Sequence, residues 1–134
     1  MKYLMDTHAL LWAIFEPEEM SKSARALIKD PQNEVFASII SFWEISLKFS
    51  IGKLELINTT PESLPKIAEE MGVEILPVEA NEAASFHKLP RKRHKDPFDR
   101  MVAWQAISRK MTLISRDQEF KQYKQFGLRL VRRQ

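Results

Sequence analysis

Five carboxylates in this 134-residue sequence stand where an acid is either costly or conspicuous: Asp6 closing MKYLMD, Glu44 inside the apolar run IISFWEISL, Asp96 and Asp99 in DPFD, and Asp117 in LISRD. A strand that stops at a carboxylate either turns a corner or builds a site. Carboxylates gathered without matching internal cations repel one another, and a bound divalent metal resolves that most simply. Oxygen-only ligands suit Mg²⁺ or Mn²⁺, whereas no cysteine and only three scattered histidines argue against zinc. Such a centre can activate water and neutralise an anionic substrate.

The elements that must position these acids follow from hydrophobic pattern and punctuation. KYLM (2–5) reads as a buried strand and THALLWAIF (7–15) as the helix after it. A helix over 21–30 and a strand over 34–37 repeat the unit. A long helix over 38–54 ends near Gly52, and a helix over 60–72 carries Pro61 in its first turn and Gly72 at its stop. A strand over 73–78, a short helix over 80–89, and a helix over 96–110 opened by Asp96 and Pro97 come next. A strand over 111–115, a helix over 117–126 stopped by Gly127, and a strand over 128–131 complete the chain. This alternation predicts an α/β fold, a three-layer α/β/α sandwich around a parallel sheet of about five strands. Neither an internal repeat nor a second domain is read, so residues 1–134 are expected to form one domain.

In a parallel sheet, ligands bind outside the carboxyl ends of the strands. Asp6 and Asp117 follow strands at that edge. The helix beginning at Asp96 runs back toward the start of the next strand, which places Asp96 and Asp99 there as well. Glu44 falls one to two turns into its helix. Each acid also has an ordinary explanation: Asp96 as a helix cap, Asp99 as part of a capping box, Asp117 as another cap, and Glu44 as an i,i+4 partner of Lys48. Glu44 resists this, because it interrupts the stripe Ile40, Leu47, Ile51 in a helix so apolar that most of its circumference should be covered. An acid among buried neighbours costs several kcal/mol, on the order of a buried unpaired charge, unless something positive compensates it. Thr7 and Ser115, beside Asp6 and Asp117, are candidates for holding carboxylates or a water at the metal, with end-of-strand capping as the equal alternative. His8 is assigned to packing or hydrogen bonding.

Lys and Arg total 21 against 18 Asp and Glu, a net charge of +3 with a pI of 9.2. The distribution says more than the total: HKLPRKRHK (87–95) concentrates five cations, and RLVRRQ supplies Arg129, Arg132 and Arg133. Arg91, Lys92, Arg93 and Lys95 immediately precede Asp96 and can draw a phosphate backbone toward the acids, which would otherwise repel it; a solvated loop is the alternative. The absence of cysteine, of a signal-peptide pattern and of any apolar run near 20 residues leads to the expectation of a cytoplasmic protein without membrane contact.

The blocks DTHALLW, FWEISLK, DPFDRMVAWQA and LISRDQEF, in this order and over nearly the whole chain, resemble the signature blocks of PIN-domain ribonucleases, and most of all the VapC-type toxins of bacterial toxin–antitoxin systems. The resemblance maps the family's acidic quartet, catalytic and metal-binding, onto Asp6, Glu44, Asp99 and Asp117, with Asp96 as an auxiliary acid. It implies Mg²⁺- or Mn²⁺-dependent cleavage of RNA, a homodimer, and inhibition by a cognate VapB-like antitoxin whose C-terminal segment blocks the acidic pocket. Two other readings compete. An Asp at the end of a first strand also occurs in phosphatase- or receiver-type phosphotransfer domains, where it is a nucleophile with a second acid close by and a lysine after a later strand; here Thr7 and His8 follow Asp6, and Arg116 and Asp117 follow the fourth strand. An RNA-binding module without catalysis would use the acids as caps only.

Overall fold

The computed structural model describes residues 1–91 and 93–131; Lys92, Arg132 and Arg133 lie outside the described residues. The elements are β1 (Lys2–Met5), α1 (Thr7–Phe15), α2 (Lys22–Lys29), β2 (Glu34–Ser38), α3 (Ile39–Ser50), α4 (Leu64–Glu70), β3 (Val73–Leu76), α5 (Ala80–Ser85), α6 (Pro97–Arg109), β4 (Thr112–Ile114) and β5 (Arg129–Leu130). Among the described residues the strands form one sheet in the order β3-β2-β1-β4-β5, with every pair parallel.

The strands are apolar on consecutive positions because both sheet faces are covered. Tyr3, Met5, Val35, Ala37 and Ile114 point into one core with Leu10 of α1, Ile45 of α3 and Leu64 of α4. Leu4, Phe36, Leu76 and Leu113 point into the other with Val102, Ala103 and Ala106 of α6. Three layers result, as expected from the alternating elements.

Two polar links set the helices that carry acids. Asp6 continues the ladder one residue past β1, its N–H donating to the Ile114 carbonyl at 3.1 Å, which sets the carboxyl end of β1 against that of β4. On the opposite flank, fully buried Gln105 of α6 accepts from the Ser38 hydroxyl at 2.5 Å and donates to the Pro77 carbonyl at 3.2 Å. Ser38 also caps α3, accepting from Ile40 N at 3.0 Å. One side chain therefore ties α6 to the ends of β2 and β3 and to the start of α3. Glu82, held by Arg109 at 2.5 and 2.8 Å, braces the same helix.

The helices differ in detail from the pattern-based reading. The helix expected over 38–54 stops at Ser50, and Gly52 takes a left-handed φ of +76°. The segment 60–72 divides into a 3₁₀ turn at Pro61–Ser63 and the shorter α4, and 80–89 divides into α5 and a 3₁₀ turn at Phe86–Lys88. The segment Gln118–Phe126 is a 3₁₀ helix throughout. Its aromatics recur every third residue, at Phe120, Tyr123 and Phe126, and a helix of three residues per turn brings all three onto one face. Phe120 and Tyr123 are completely buried there.

Candidate metal centre

At the carboxyl edge, Asp6, Glu44, Asp96, Asp99 and Asp117 line one cleft of about 320 Å³, with Thr7, His8, Leu11, Lys48 and Lys53 among its other walls. Five acids from four parts of the sequence thus meet around one space. A larger cavity of about 520 Å³ lies at the other end of the sheet, bounded by Ala13, Met20, Arg25, Ile28 and Gly72, and contains none of them.

Asp6 is the deepest aspartate, 4% exposed. Its Oδ1 caps α1 by accepting from Ala9 N at 2.8 Å, and its Oδ2 accepts from the Ser115 hydroxyl at 2.5 Å. Burial pushes its carboxyl up to about 6; those two hydrogen bonds and His8 oppose the rise, and the negative charge of Asp117 adds to it. Glu44 is equally buried, at 4%. Its Oε1 accepts from Thr7 Oγ1 at 2.6 Å and its Oε2 from Lys48 Nζ at 2.5 Å. Thr7 therefore serves Glu44, not Asp6, and Lys48 supplies the positive compensation that an acid in this helix requires. Burial works against the Lys48 charge, but the hydrogen bond and attraction of Glu44 raise its pKa.

Asp96 caps α6, its Oδ1 accepting from Phe98 N at 2.8 Å and Asp99 N at 3.2 Å, so the capping account holds for this residue. Asp117 likewise caps the 3₁₀ helix through Glu119 N at 2.9 Å and remains exposed. A cap occupies one oxygen and leaves the other to face the cleft. Asp99 caps nothing. Burial first, then the charges of Asp96 and Glu44, push its carboxyl up to about 6. Asp99 belongs to two sets of side chains whose donor atoms lie within 4.8 Å of one another, Glu44–Asp96–Asp99 and His94–Asp99–Asp117. A donor set dominated by carboxylate oxygens fits a hard divalent cation, and acids driven toward protonation mark where positive charge is missing.

Sequence spacing does not single out His94, which is hidden in the basic run. Its Nε2 lies 3.2 Å from Asp99 Oδ2, while its ring stacks on Tyr123 (5.6 Å between centroids) and meets the edge of Phe120 (5.2 Å). The residue is 7% exposed, and its Nδ1 is buried with no hydrogen-bond partner. A proton on Nε2, donated to Asp99, leaves a lone pair on Nδ1, and an unfilled acceptor is cheaper than an unfilled donor. His94 therefore orients Asp99. His94→Phe keeps the ring packing and deletes the donor; the expected result is a loss of metal-dependent activity and metal affinity of about 10- to 100-fold, with His94→Gln retaining more of both. Thermal melting of the metal-free variants checks that the fold is unchanged.

Of the basic-loop residues assigned to RNA, Arg91, Arg93 and Lys95 are exposed beside Asp96, and Lys92 is outside the described residues. Arg100, the residue after Asp99, is buried and donates to the Leu89 and Pro90 carbonyls at 3.1 and 3.3 Å, which fixes the start of this loop. His8 is exposed on the cleft wall, 5.6 Å from the Trp12 ring.

The PIN domain family matches residues 3–125. Solved structures with the same fold include VapBC2 from Rickettsia felis bound to a promoter DNA fragment (19% identity, TM-score 0.71, covering 98% of each chain). DNA-bound VapBC from Salmonella typhimurium is similar at 20% identity and TM-score 0.65, over 98% of this chain and 97% of that one. VapBC-1 from nontypeable Haemophilus influenzae is similar at 19% identity and TM-score 0.66, over the same shares. No curated protein matches.

Proposed function

The chain belongs to the PIN-domain family, and from that premise we propose that it is a metal-dependent endoribonuclease, the toxin of a toxin–antitoxin pair, hydrolysing RNA phosphodiester bonds in the acidic cleft. The observation that carries the reading is the meeting of Asp6, Glu44, Asp96, Asp99 and Asp117 in one cleft, two of them held at a pKa of about 6. Helix caps gather at this edge in any parallel α/β sheet, so the weight falls on Glu44 and Asp99, which cap nothing and share the cleft with them. A nucleophilic Asp6, as in a phosphotransfer domain, is disfavoured because Thr7 and His8, not a second acid, follow it, and Arg116 and Asp117, not a lysine, follow β4.

Glu44, Asp99 and Asp117, with Asp6 behind them and Asp96 beside them, are the residues that would hold Mg²⁺ or Mn²⁺. When bound, the cation supplies charge against the scissile phosphate and lowers the pKa of the attacking water. A cleft carboxylate takes that water's proton, and in-line attack leaves a 5′-phosphate and a 3′-hydroxyl. Ser115, Thr7, Lys48 and His94 keep the carboxylates aimed. Arg91, Arg93 and Lys95 draw the RNA backbone to the rim. The test is cleavage of RNA by the purified protein with Mn²⁺ or Mg²⁺ and after chelation: EDTA should abolish it and added metal restore it, and full activity in chelator would rule the mechanism out.

The partner surfaces fit the same reading. The α3 circumference expected to be covered is open along Ile39 (41% exposed), Trp43 (61%), Leu47 (40%) and Ile51 (57%), a row at four-residue spacing that supports a homodimer. Trp43→Glu with Leu47→Glu should convert dimer to monomer by light scattering while circular dichroism stays unchanged. A wild-type protein monomeric at tens of micromolar would refute the dimer. An apolar groove of about 200 Å³ walled by Trp12, Phe15 and Ile57 shares His8, Leu11 and Leu54 with the acidic cleft. It supports an antitoxin segment reaching the acids from that side. Among the described residues no helix is long and apolar enough to cross a membrane.

A further inference from the structure

The second face of the 3₁₀ helix carries a pattern as regular as its aromatic one. In QEFKQYKQF, Gln118, Lys121 and Lys124 recur every third residue, and at three residues per turn they stand in one ladder, about 6 Å apart along the axis. An α-helix would fan the same residues around its circumference. The ladder forms one wall of a polar cleft of about 440 Å³ opening between the carboxyl ends of β4 and β5, with Arg116, Leu130 and Val131 among the others. Arg116 is fixed there by donating to the Glu19 carbonyl at 2.9 Å and by lying 5.0 Å from the Trp12 ring centre. Three cations thus face one acid of the lining, Asp117. None of the three pairs with a carboxylate among the described residues.

This cleft borders the acidic one. Asp117 belongs to the walls of both, and Ser115, which lines the basic cleft, donates to Asp6 in the acidic one. Unneutralised cations beside an acidic pocket offer charge to an anionic chain that the acids would otherwise repel, and the ladder spacing is close to the repeat of an extended nucleotide backbone. Resting on the nuclease reading above, we propose that Arg116, Gln118, Lys121 and Lys124 form a phosphate track that leads single-stranded RNA along the 3₁₀ helix into the acidic cleft. The track contacts backbone and not base edges, so it confers affinity and register without sequence preference.

The experiment uses the 134-residue chain carrying Asp99→Asn, so that binding is read without turnover, and a labelled single-stranded RNA oligonucleotide followed by anisotropy over a range of salt. Adding Lys121→Gln and Lys124→Gln should weaken binding and reduce the slope of log affinity against log salt by up to about 1.4, roughly 0.7 for each lost contact. Lys121→Arg with Lys124→Arg should restore both. Both lysines are exposed, and an unchanged melting temperature confirms folding. Unchanged affinity and slope, no RNA binding by the parent, or preference for duplex DNA of equal length would overturn the track. Wild-type cleavage of RNA is assayed alongside: cleavage with no effect of the lysines sinks the track alone, whereas lysine-dependent binding without cleavage sinks the nuclease reading.

Discussion

Asp99→Asn is expected to lower metal-dependent RNA cleavage by about 10²- to 10³-fold, the size of removing one preorganised charge-stabilising group from an active site. Asp99 is the member common to both donor sets, it serves no cap, and three neighbours, Glu44, Asp96 and His94, are arranged around its carboxylate. An amide in its place keeps the shape and deletes the charge. Glu44→Gln should act comparably, since burial leaves no solvent path to replace the lost ligand. Asp96→Asn should cost much less, because asparagine caps α6 through the same oxygen position and an auxiliary acid supplies only one oxygen at the rim. Single-turnover cleavage of a defined RNA at saturating Mn²⁺ measures the series. Equal activity of Asp99→Asn and wild type would remove the metal centre from the mechanism; an Asp96→Asn loss as large as that of Asp99→Asn would make Asp96 a direct ligand.

The strands and the edge at which the acids meet are legible in the sequence because buried parallel strands are short apolar runs and ligand sites follow their carboxyl ends. Asp6 after KYLM and Asp117 after TLIS need nothing more. The signals that stay hidden are those whose meaning depends on a partner in space. Lys48 at i+4 from Glu44 reads as a surface pair from spacing alone, yet Glu44 is buried and Lys48 is the group that makes its burial tolerable. His94 lies in a run of cations and gains a role only when Tyr123 and Phe120 hold its ring against Asp99. The apolar circumference of α3 implies coverage, yet Trp43 and the adjoining Ile51 are exposed, because composition alone does not say which apolar face of a helix meets the chain's own core. The period of three in FKQYKQF is visible in the sequence. It reads as an ordinary helix because 3₁₀ runs longer than three or four residues are uncommon.

Without metal, Asp6→Asn is expected to raise the stability of the fold at neutral pH, although it removes the charge of the most buried aspartate in the site. The Asp6 carboxyl sits at about 6 in the folded protein against an ordinary aspartate value of 3.8, so the folded state binds more protons than the unfolded state between those limits. Stability therefore falls as pH rises from about 4 through about 6, and the full deficit remains above that. At about 1.36 kcal/mol for each pH unit, a rise of this size corresponds to about 3 kcal/mol. The hydrogen bonds to the charged carboxylate are already contained in that value, but an amide offers one oxygen where the neutral carboxyl offers two to Ala9 N and Ser115, which offsets part of the gain and leaves about 1–2 kcal/mol. Below about pH 4, where the carboxyl is neutral in both states, only that offset remains and the variant should melt slightly below wild type. In EDTA at pH 7.5 the variant should melt higher by several degrees, at roughly 4 °C per kcal/mol for a chain of this size. Manganese should invert the order, because a site occupied at 100 times its Kd stabilises wild type by about 2.7 kcal/mol and the variant has lost part of that site. A variant that melts well below wild type in EDTA at pH 7.5 would mean that the charged form of Asp6 is needed for the α1 cap, and its carboxylate would then be structural in the absence of metal.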